Sequence, residues 1–245
     1  MTNEAPVAPR RAQRSGPPRV LADADLGETK AKILDAAFRR LATDGYASLS
    51  VRQIAKDAGV NHALINYHFR TKDQLVIEVL DAANRLLLAR QMSMYSGPGG
   101  FAEKWAAARR FYESDLASGF VRVQAELSAA SMSDPELRAK FLPRLLAWKQ
   151  VVLAAVREAV ATLQAHGVTL SPPFNAEVIA TWISEFWLGM ELVDLIGGRG
   201  IRAPHQAALN AMQHLLEDLD ARVQRAPAEP ERPARASRRP SRART

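Results

Sequence analysis

The sequence predicts an all-α fold of about nine helices, a short three-helix unit at the N-terminal end followed by a longer helical region. Three observations carry this expectation. No segment shows a sustained strand alternation bounded by turn residues. Apolar stripes of helical period recur from about Glu28 to about Arg222. Helix start and stop signals separate those stripes. With 245 residues, 47% of them apolar and 24% charged, the chain is long enough to bury a sizeable core.

The first helix is expected over about Glu28 to Thr43, with Ile33, Leu34, Ala37, Phe38 and Leu41 on one face and Gly45 as its stop. A short second helix begins at Ser50, where Ser50 and Gln53 fit a capping box, and Gly59 ends it. Asn61 can cap a third short helix reaching Phe69, itself a core residue. Thr71 with Gln74 repeats the capping box for a long fourth helix carrying Leu75, Val76, Val79, Leu80, Ala83 and Leu87. After the break at Gly97, Gly99 and Gly100, helices follow over about Phe101 to Ser118, Val121 to Ala130 and Asp134 to Ala165. Asp134 and Pro135 supply the N-cap and first-turn proline of the last of these. Beyond Ser171-Pro172-Pro173 an apolar helix covers about Asn175 to Ile196, and a loop with Gly197, Gly198 and Gly200 leads to a final helix from about Pro204 to Arg222.

Residues 1–26 and 225–245 are rich in proline and arginine and are expected as disordered arms, since they cannot bury enough apolar surface to order themselves. That leaves residues 27–72 as a small domain and 73–224 as a large one. The formal net charge of +7 divides as +1 over residues 1–26, +4 over 27–72, −3 over 73–224 and +5 over 225–245. The basic charge therefore sits on the small domain and the tail, which points to an acidic partner for that end.

The absence of cysteine excludes disulfides, thiolate zinc sites and cysteine chemistry. His62, His68, His166, His205 and His214 show no metal-ligand spacing, so no metal and no cofactor is expected. The N-terminal residues lack an apolar signal region, and the most apolar stretch, Val178 to Ile196, contains Glu185, Glu191 and Asp194. No membrane span is expected, and the cytoplasm is the expected compartment. An enzyme finds little support: there is no Gly-x-Ser-x-Gly and no phosphate-cradling glycine motif, and Gly197-Gly198-Arg199-Gly200 has no strand before it.

The stretch VRQIAKDAGVNHALINYHF fits a helix-turn-helix, in which two short helices cross tightly. Ala55 is the small residue at the crossing, Gly59 the turn and Ile65 the anchor, with Ile54 and Val60 as further core positions. The run from Ile33 to Leu80 closely resembles the N-terminal domain of the TetR family of transcriptional regulators. The matching features are Ala36-Ala37 and Phe38, Gly45, Ile54-Ala55, Gly59-Val60, Tyr67-His68-Phe69 and Lys72. Ala63 and Asn66 depart from it, standing where glycine and an aromatic residue are common.

The resemblance implies a DNA-binding regulator, by family default a repressor, acting on double-stranded operator DNA. Ser50 and the free amides of the second helix, with Arg52 and Gln53 in its first turn, would meet a phosphate, as would Tyr67, His68 and Lys72. Base readout falls to Asn61, His62, Ala63, Leu64 and Asn66 on the recognition helix. His62 can serve a phosphate or a base, and Asn66 can pair with an adenine or stand solvated.

The resemblance also implies a C-terminal domain that binds a small-molecule effector and forms a homodimer through its last two helices. Leu209, Met212, Leu216, Leu219 and Val223 make a seam of helical spacing, and Gly189 would admit a close backbone. Trp105, Phe111, Tyr112, Trp148, Trp182, Phe186 and Trp187 are candidates for the effector pocket or for plain core. Glu126 and Glu185 are candidate polar groups for that effector or exposed surface residues. A family member acting as an architectural or cell-division adaptor is the alternative function.

Overall fold

A computed structural model of the chain describes residues 27–197 and 199–225. The arm expected at residues 1–26 lies outside the described residues, as do residues 226–245 of the one expected at 225–245, while Arg225 ends the last helix. Among the described residues there are nine helices and no strand: α1 (Glu28–Asp44), α2 (Val51–Ala58), α3 (His62–His68), α4 (Lys72–Ser96), α5 (Phe101–Ser118), α6 (Phe120–Ser133), α7 (Pro135–Ala165), α8 (Ala176–Ile196) and α9 (Arg199–Arg225). The all-α architecture is as the sequence predicts.

Four of the nine helix starts are fixed by a local side-chain cap. Asn61 Oδ1 accepts from Ala63 N at 2.9 Å, Thr71 Oγ1 from Gln74 N at 3.0 Å and Asn175 Oδ1 from Val178 N at 2.9 Å. Asp134 Oδ1 accepts from both Glu136 N at 2.9 Å and Leu137 N at 3.0 Å, with Pro135 at the first position, where a missing N–H does no harm. The start of α5 is capped from a distance instead. Asp220 of α9 accepts from Phe101 N at 2.8 Å and Ala102 N at 2.9 Å. Two expectations need correction. The Ser50 side chain makes no capping bond, and α9 begins at Arg199 rather than Pro204, with the proline inside the helix.

The described chain divides into two compact units, residues 27–86 with 117–141 and residues 87–116 with 142–225. In the first, α1 packs on α2 and α6, and α2 on α3. Its interior is filled by Ile33, Leu34, Phe38 and Leu41 of α1, Ile54 of α2, Ile65 of α3, Leu75 and Leu80 of α4, and Leu127 of α6. Asp35 is the buried charge in this unit, paired with Arg39 one turn along α1.

The second unit has two apolar clusters. One joins Trp105 and Tyr112 of α5, Trp187 and Met190 of α8, and Leu209 of α9. The other joins Val152 and Val156 of α7 with Ala176 and Ala180 of α8. Trp148 packs against both.

Candidate functional site

The helix-turn-helix follows from its residues. At the end of α2 the chain turns through Gly59, whose φ of +65° is one that side chains resist. Val60 N donates to Ala55 O at 3.0 Å and Gly59 N to Lys56 O at 3.3 Å, the paired bonds of a Schellman stop. Ala55 is buried and small enough for a close crossing, and Ile65 anchors α3 from the other side. Arg40 of α1 donates to Asp57 of α2 through Nε at 2.5 Å and Nη2 at 3.1 Å. That pairing holds the Asp57 carboxyl well below its usual range.

One side of α3 is left bare. Asn61, His62, Ala63, Leu64, Asn66 and Tyr67 are exposed, Tyr67 at 80%, while Ile65 and Phe69 are buried. Asn66 Nδ2 lies 3.4 Å from His62 Nδ1, one helical turn earlier, so these two polar side chains stand together on the open face. His68 is half-buried with its ring against both Tyr67 and Phe69. Arg52 and Gln53 are exposed on α2. Because Ser50 does not cap α2 internally, its hydroxyl and the first amides of that helix can turn to an outside acceptor.

Tyr46 ties this surface to α4 and α6. Its backbone N–H donates to Glu126 Oε2 of α6 at 3.0 Å, its carbonyl accepts from Lys72 Nζ at 2.7 Å, and its hydroxyl donates to Asp73 Oδ1 at 2.6 Å. The Lys72 ammonium also stands 4.3 Å from the Tyr46 ring centroid. Burial and the bond to Asp73 push the Tyr46 phenol above its usual range. Gly45 makes room for the arrangement: at φ +80°, a Cβ there would lie 2.8 Å from Glu126 Oε2. Lys72 is thus anchored at the base of α4, with one of its three N–H groups used in the bond to Tyr46 O.

In the second unit the expected effector residues separate. Trp105, Tyr112 and Trp187 come together, with ring centroids 5.3 Å apart for Trp105–Trp187 and for Tyr112–Trp187, and Trp148 packs against them. Trp105 Nε1 donates to Leu209 O at 3.1 Å. Phe111 stands apart under the guanidinium of Arg90, which lies 4.8 Å from its centroid. Trp182 and Phe186 face outward at 60% and 38% exposed, and exposed Glu185 pairs with Lys149. Glu126 belongs to the other unit, bound to Tyr46 as described.

The seam expected on α9 also divides. Leu209 is buried in its own subunit's core and Leu216 packs against that core, because Trp105 and Trp187 occupy that side. Met212 and, unexpectedly, Leu215 are exposed, while Leu219 and Val223 are half-buried. On α8, Gly189 is exposed with nothing within 4 Å of where a Cβ would stand.

The polar groups that the sequence reading passed over lie beside the aromatic cluster. The Tyr112 hydroxyl donates to Asp194, which also meets His205 Nδ1 at 2.9 Å. Arg90 pairs with buried Asp115. Burial pushes the Asp115 carboxyl up, against the pull of Arg90. Glu191 and Asp194, which share the stripe of α8 that carries Trp187, were the legible signal: acids on the apolar face of a helix.

Among the described residues no helix is long and apolar enough to cross a membrane, and no group of His, Asp and Glu is placed to hold a metal.

Residues 33–79 match the sequence pattern of the bacterial regulatory proteins of the tetR family. Over 54 residues the chain is 52% identical to an HTH-type transcriptional repressor of Mycobacterium tuberculosis, a stretch that is 22% of this chain and 29% of that relative's length. The transcriptional regulator FadR from Bacillus subtilis, solved in complex with stearoyl-CoA, superposes with a TM-score of 0.59 at 21% identity, covering 78% of this chain and 97% of its own. A protein described as a transcriptional regulator from Saccharomonospora viridis, solved with choline, gives 0.60 at 24% identity over 78% and 94%. At these identities the likeness of the solved structures is one of fold.

Proposed function

We propose, from the premise that this chain is a TetR-family protein by its N-terminal domain, that it is a sequence-specific DNA-binding transcriptional regulator, a repressor released from its operator by a small-molecule effector. The bare face of α3 carries this reading. A short helix that buries only Ile65 and exposes Asn61, His62, Ala63, Leu64 and Asn66 is built to be read against something else. Its width suits the major groove of duplex DNA. Ser50 with the amides of α2, Tyr67, His68 and Lys72 flank that face as phosphate contacts, which set register and carry no base information.

The effector part rests on the interior of the second unit, where aromatic rings and polar groups converge. The choline and stearoyl-CoA complexes of the two similar proteins support a small-molecule ligand in kind, while their differing chemistry leaves its class to this chain's own residues. Helix α4, which opens at Lys72 and continues to Ser96, contributes residues to both units and is the natural carrier of a change. We assign homodimerisation to the apolar faces of α8 and α9, where Trp182, Phe186, Gly189, Met212 and Leu215 are exposed. Leu215→Glu is expected to give monomers in sedimentation velocity. A non-enzymatic role in the cytoplasm, where the chromosome is, completes the reading.

Mapping the chromosomal sites of the tagged protein tests it. A few promoter operators are the expected result. Many dispersed sites would replace regulation with an architectural role.

A further inference from the structure

Helices α4 and α5 are joined by the short turn Gly97-Pro98-Gly99-Gly100, so the end of one lies beside the start of the other. Lys104 Nζ donates to Tyr95 O across that turn. Between the two helices runs a cleft of about 380 Å³. One wall is a stripe of α4 with Arg90 and Met94, and the other a stripe of α5 with Lys104, Ala107, Arg110 and Phe111. The cleft shares no residue with the cluster of Trp105, Tyr112 and Trp187, which uses a different stripe of α5.

Its charge is one-sided. Arg90, Lys104 and Arg110 line it, and Glu103 is the acid among the lining residues. The Glu103 carboxylate is folded back over the turn: a Cβ at Gly99 would lie 2.5 Å from its Oε2. It pairs with none of the three cations. Arg90 is held from behind, paired with buried Asp115 and 4.8 Å from the Phe111 ring centroid, with its Nε left without an acceptor. Lys104 uses one of its three N–H groups on Tyr95 O, and neither it nor Arg110 has an ion pair among the described residues. With Asp115 included, three cations and two acids leave one positive charge unanswered. That surplus is local, since residues 73–224 as a whole sum to −3. Like charges gathered around one cleft repel, and a bound anion removes that cost.

We propose that this cleft binds a small organic monoanion, a carboxylate on an apolar body, with the carboxylate between Lys104 and Arg110 and the body against Met94, Ala107 and Phe111. One negative charge answers the one positive charge in excess, and hydrogen bonds between charged partners are the strong kind. A volume of about 380 Å³ is at the small end of ligand pockets, which suits a body of one ring. An organic cation would meet Lys104 and Arg110, and an uncharged molecule would leave both without a counter-charge. Helix α4 carries Arg90 and Met94 near one end and Lys72 at the other, so an occupant has a handle on the helix that opens at the DNA-binding unit. That consequence rests on the effector reading, whereas the site itself does not.

Three molecules of one shape decide the matter on the full-length protein at neutral pH: 4-phenylbutanoate, 4-phenylbutan-1-ol and 4-phenylbutylammonium. Calorimetric titration and thermal shift report binding. The carboxylate is expected to bind about tenfold more tightly than the alcohol and to weaken as salt is raised, with no response to the ammonium. Arg110→Gln, at an exposed position, should fold as the parent does and lose most of the carboxylate's advantage. Lys104→Gln should do the same, with unchanged affinity for the alcohol as the sign that the cleft is intact. Arg109→Gln, which breaks a bond to Gln206 and not the cleft, should change neither affinity. Equal binding of the three, preference for the ammonium, a carboxylate advantage that survives both Arg110→Gln and Lys104→Gln, or no carboxylate binding at millimolar concentration overturns the assignment. Carboxylate that binds through these residues but leaves operator affinity unchanged supports the site and removes its link to the operator. Operator release by the ammonium alone overturns the site and leaves the effector reading standing.

Discussion

The two units keep their polar chemistry in opposite places. In the first, the large buried side chains are apolar except Asp35, and the groups that can bind a partner sit outside, on the bare face of α3 and at the starts of α2 and α4. In the second, α8 and α9 expose large apolar side chains such as Trp182, Leu192, Met212 and Leu215, while Asp115 is buried and Asp194 is bonded to Tyr112 of the aromatic cluster inside. A flat, charged polymer must be met by a surface, and that surface needs a rigid support. A small ligand must be enclosed, so on the proposed function its recognition groups would be carried in the interior at a loss of stability.

The largest effect that separates the units comes from their cores. Phe38→Ala, deep in the first unit at 1% exposed, removes packing beneath the whole helix-turn-helix and is expected to cost about 3–5 kcal/mol in urea unfolding. DNA binding should fall only as far as the folded fraction does. A loss of DNA affinity in fully folded protein would mean that the support is not rigid.

Glu191→Gln should act with the opposite sign. Burial, with the Asp115 charge nearby, pushes its folded carboxyl up to about 8 from an ordinary 4.5, so between those values the native state should hold a proton that the unfolded chain has released. Stability from this group is therefore greatest below 4.5 and is lost as pH rises through 8. The variant should match the parent at pH 4.5 and exceed it by on the order of 3 kcal/mol at pH 8.5, read as a pH series of melting curves. A parent that is equally stable across the range would show Glu191 to be hydrated, and the contrast between the units would lose its main support.

These two sites also mark what was legible in the sequence. The face of α3 could be read because it depends on seven successive residues, a cap at Asn61 and a stop at Gly59, all local. The aromatic cluster was legible as a composition of the second domain, but its membership was not. Trp182 and Trp187 are five residues apart on one helix, yet one is exposed and the other buried. The pairs that make the polar interior, Tyr112 with Asp194 and Arg90 with Asp115, are separated by 82 and 25 residues, and no periodicity encodes them. Glu126 misled for the same reason. An acid in an apolar helix suggested a ligand, and its partner proved to be the Tyr46 amide, 80 residues away. The early start of α9 was hidden by Pro204, which a helix tolerates near its N-terminus at the loss of one bond.

Glu126 gives a smaller but more informative effect. Its bond to Tyr46 N holds the segment whose carbonyl holds Lys72, so Glu126→Ala is expected to cost about 1–2 kcal/mol of stability. In folded protein it should also weaken binding to all DNA sequences alike, by about tenfold. Glu126→Gln, whose amide oxygen can accept the same N–H, should restore most of both. If only stability responds, Glu126 is a strut and Lys72 finds its place without it.

The smallest effects distinguish two helix starts that look alike in sequence. Asn61 and Ser50 both occupy N-cap positions, but Asn61 accepts from Ala63 N at 2.9 Å and Ser50 makes no such bond. Asn61→Ala should therefore cost about 1 kcal/mol of stability, the usual value of a formed cap. Ser50→Ala should cost less than about 0.5 kcal/mol, since no cap is lost. Its effect should appear on DNA instead. A hydroxyl that is free of its own helix can donate to a phosphate, and losing it should weaken operator and nonspecific DNA equally, with unchanged base preference. Urea melts and titrations on two duplexes measure both quantities for both variants. Equal destabilisation by the two substitutions would mean that Ser50 caps α2 in solution. In that case the phosphate contact at this corner would fall to the α2 amides alone.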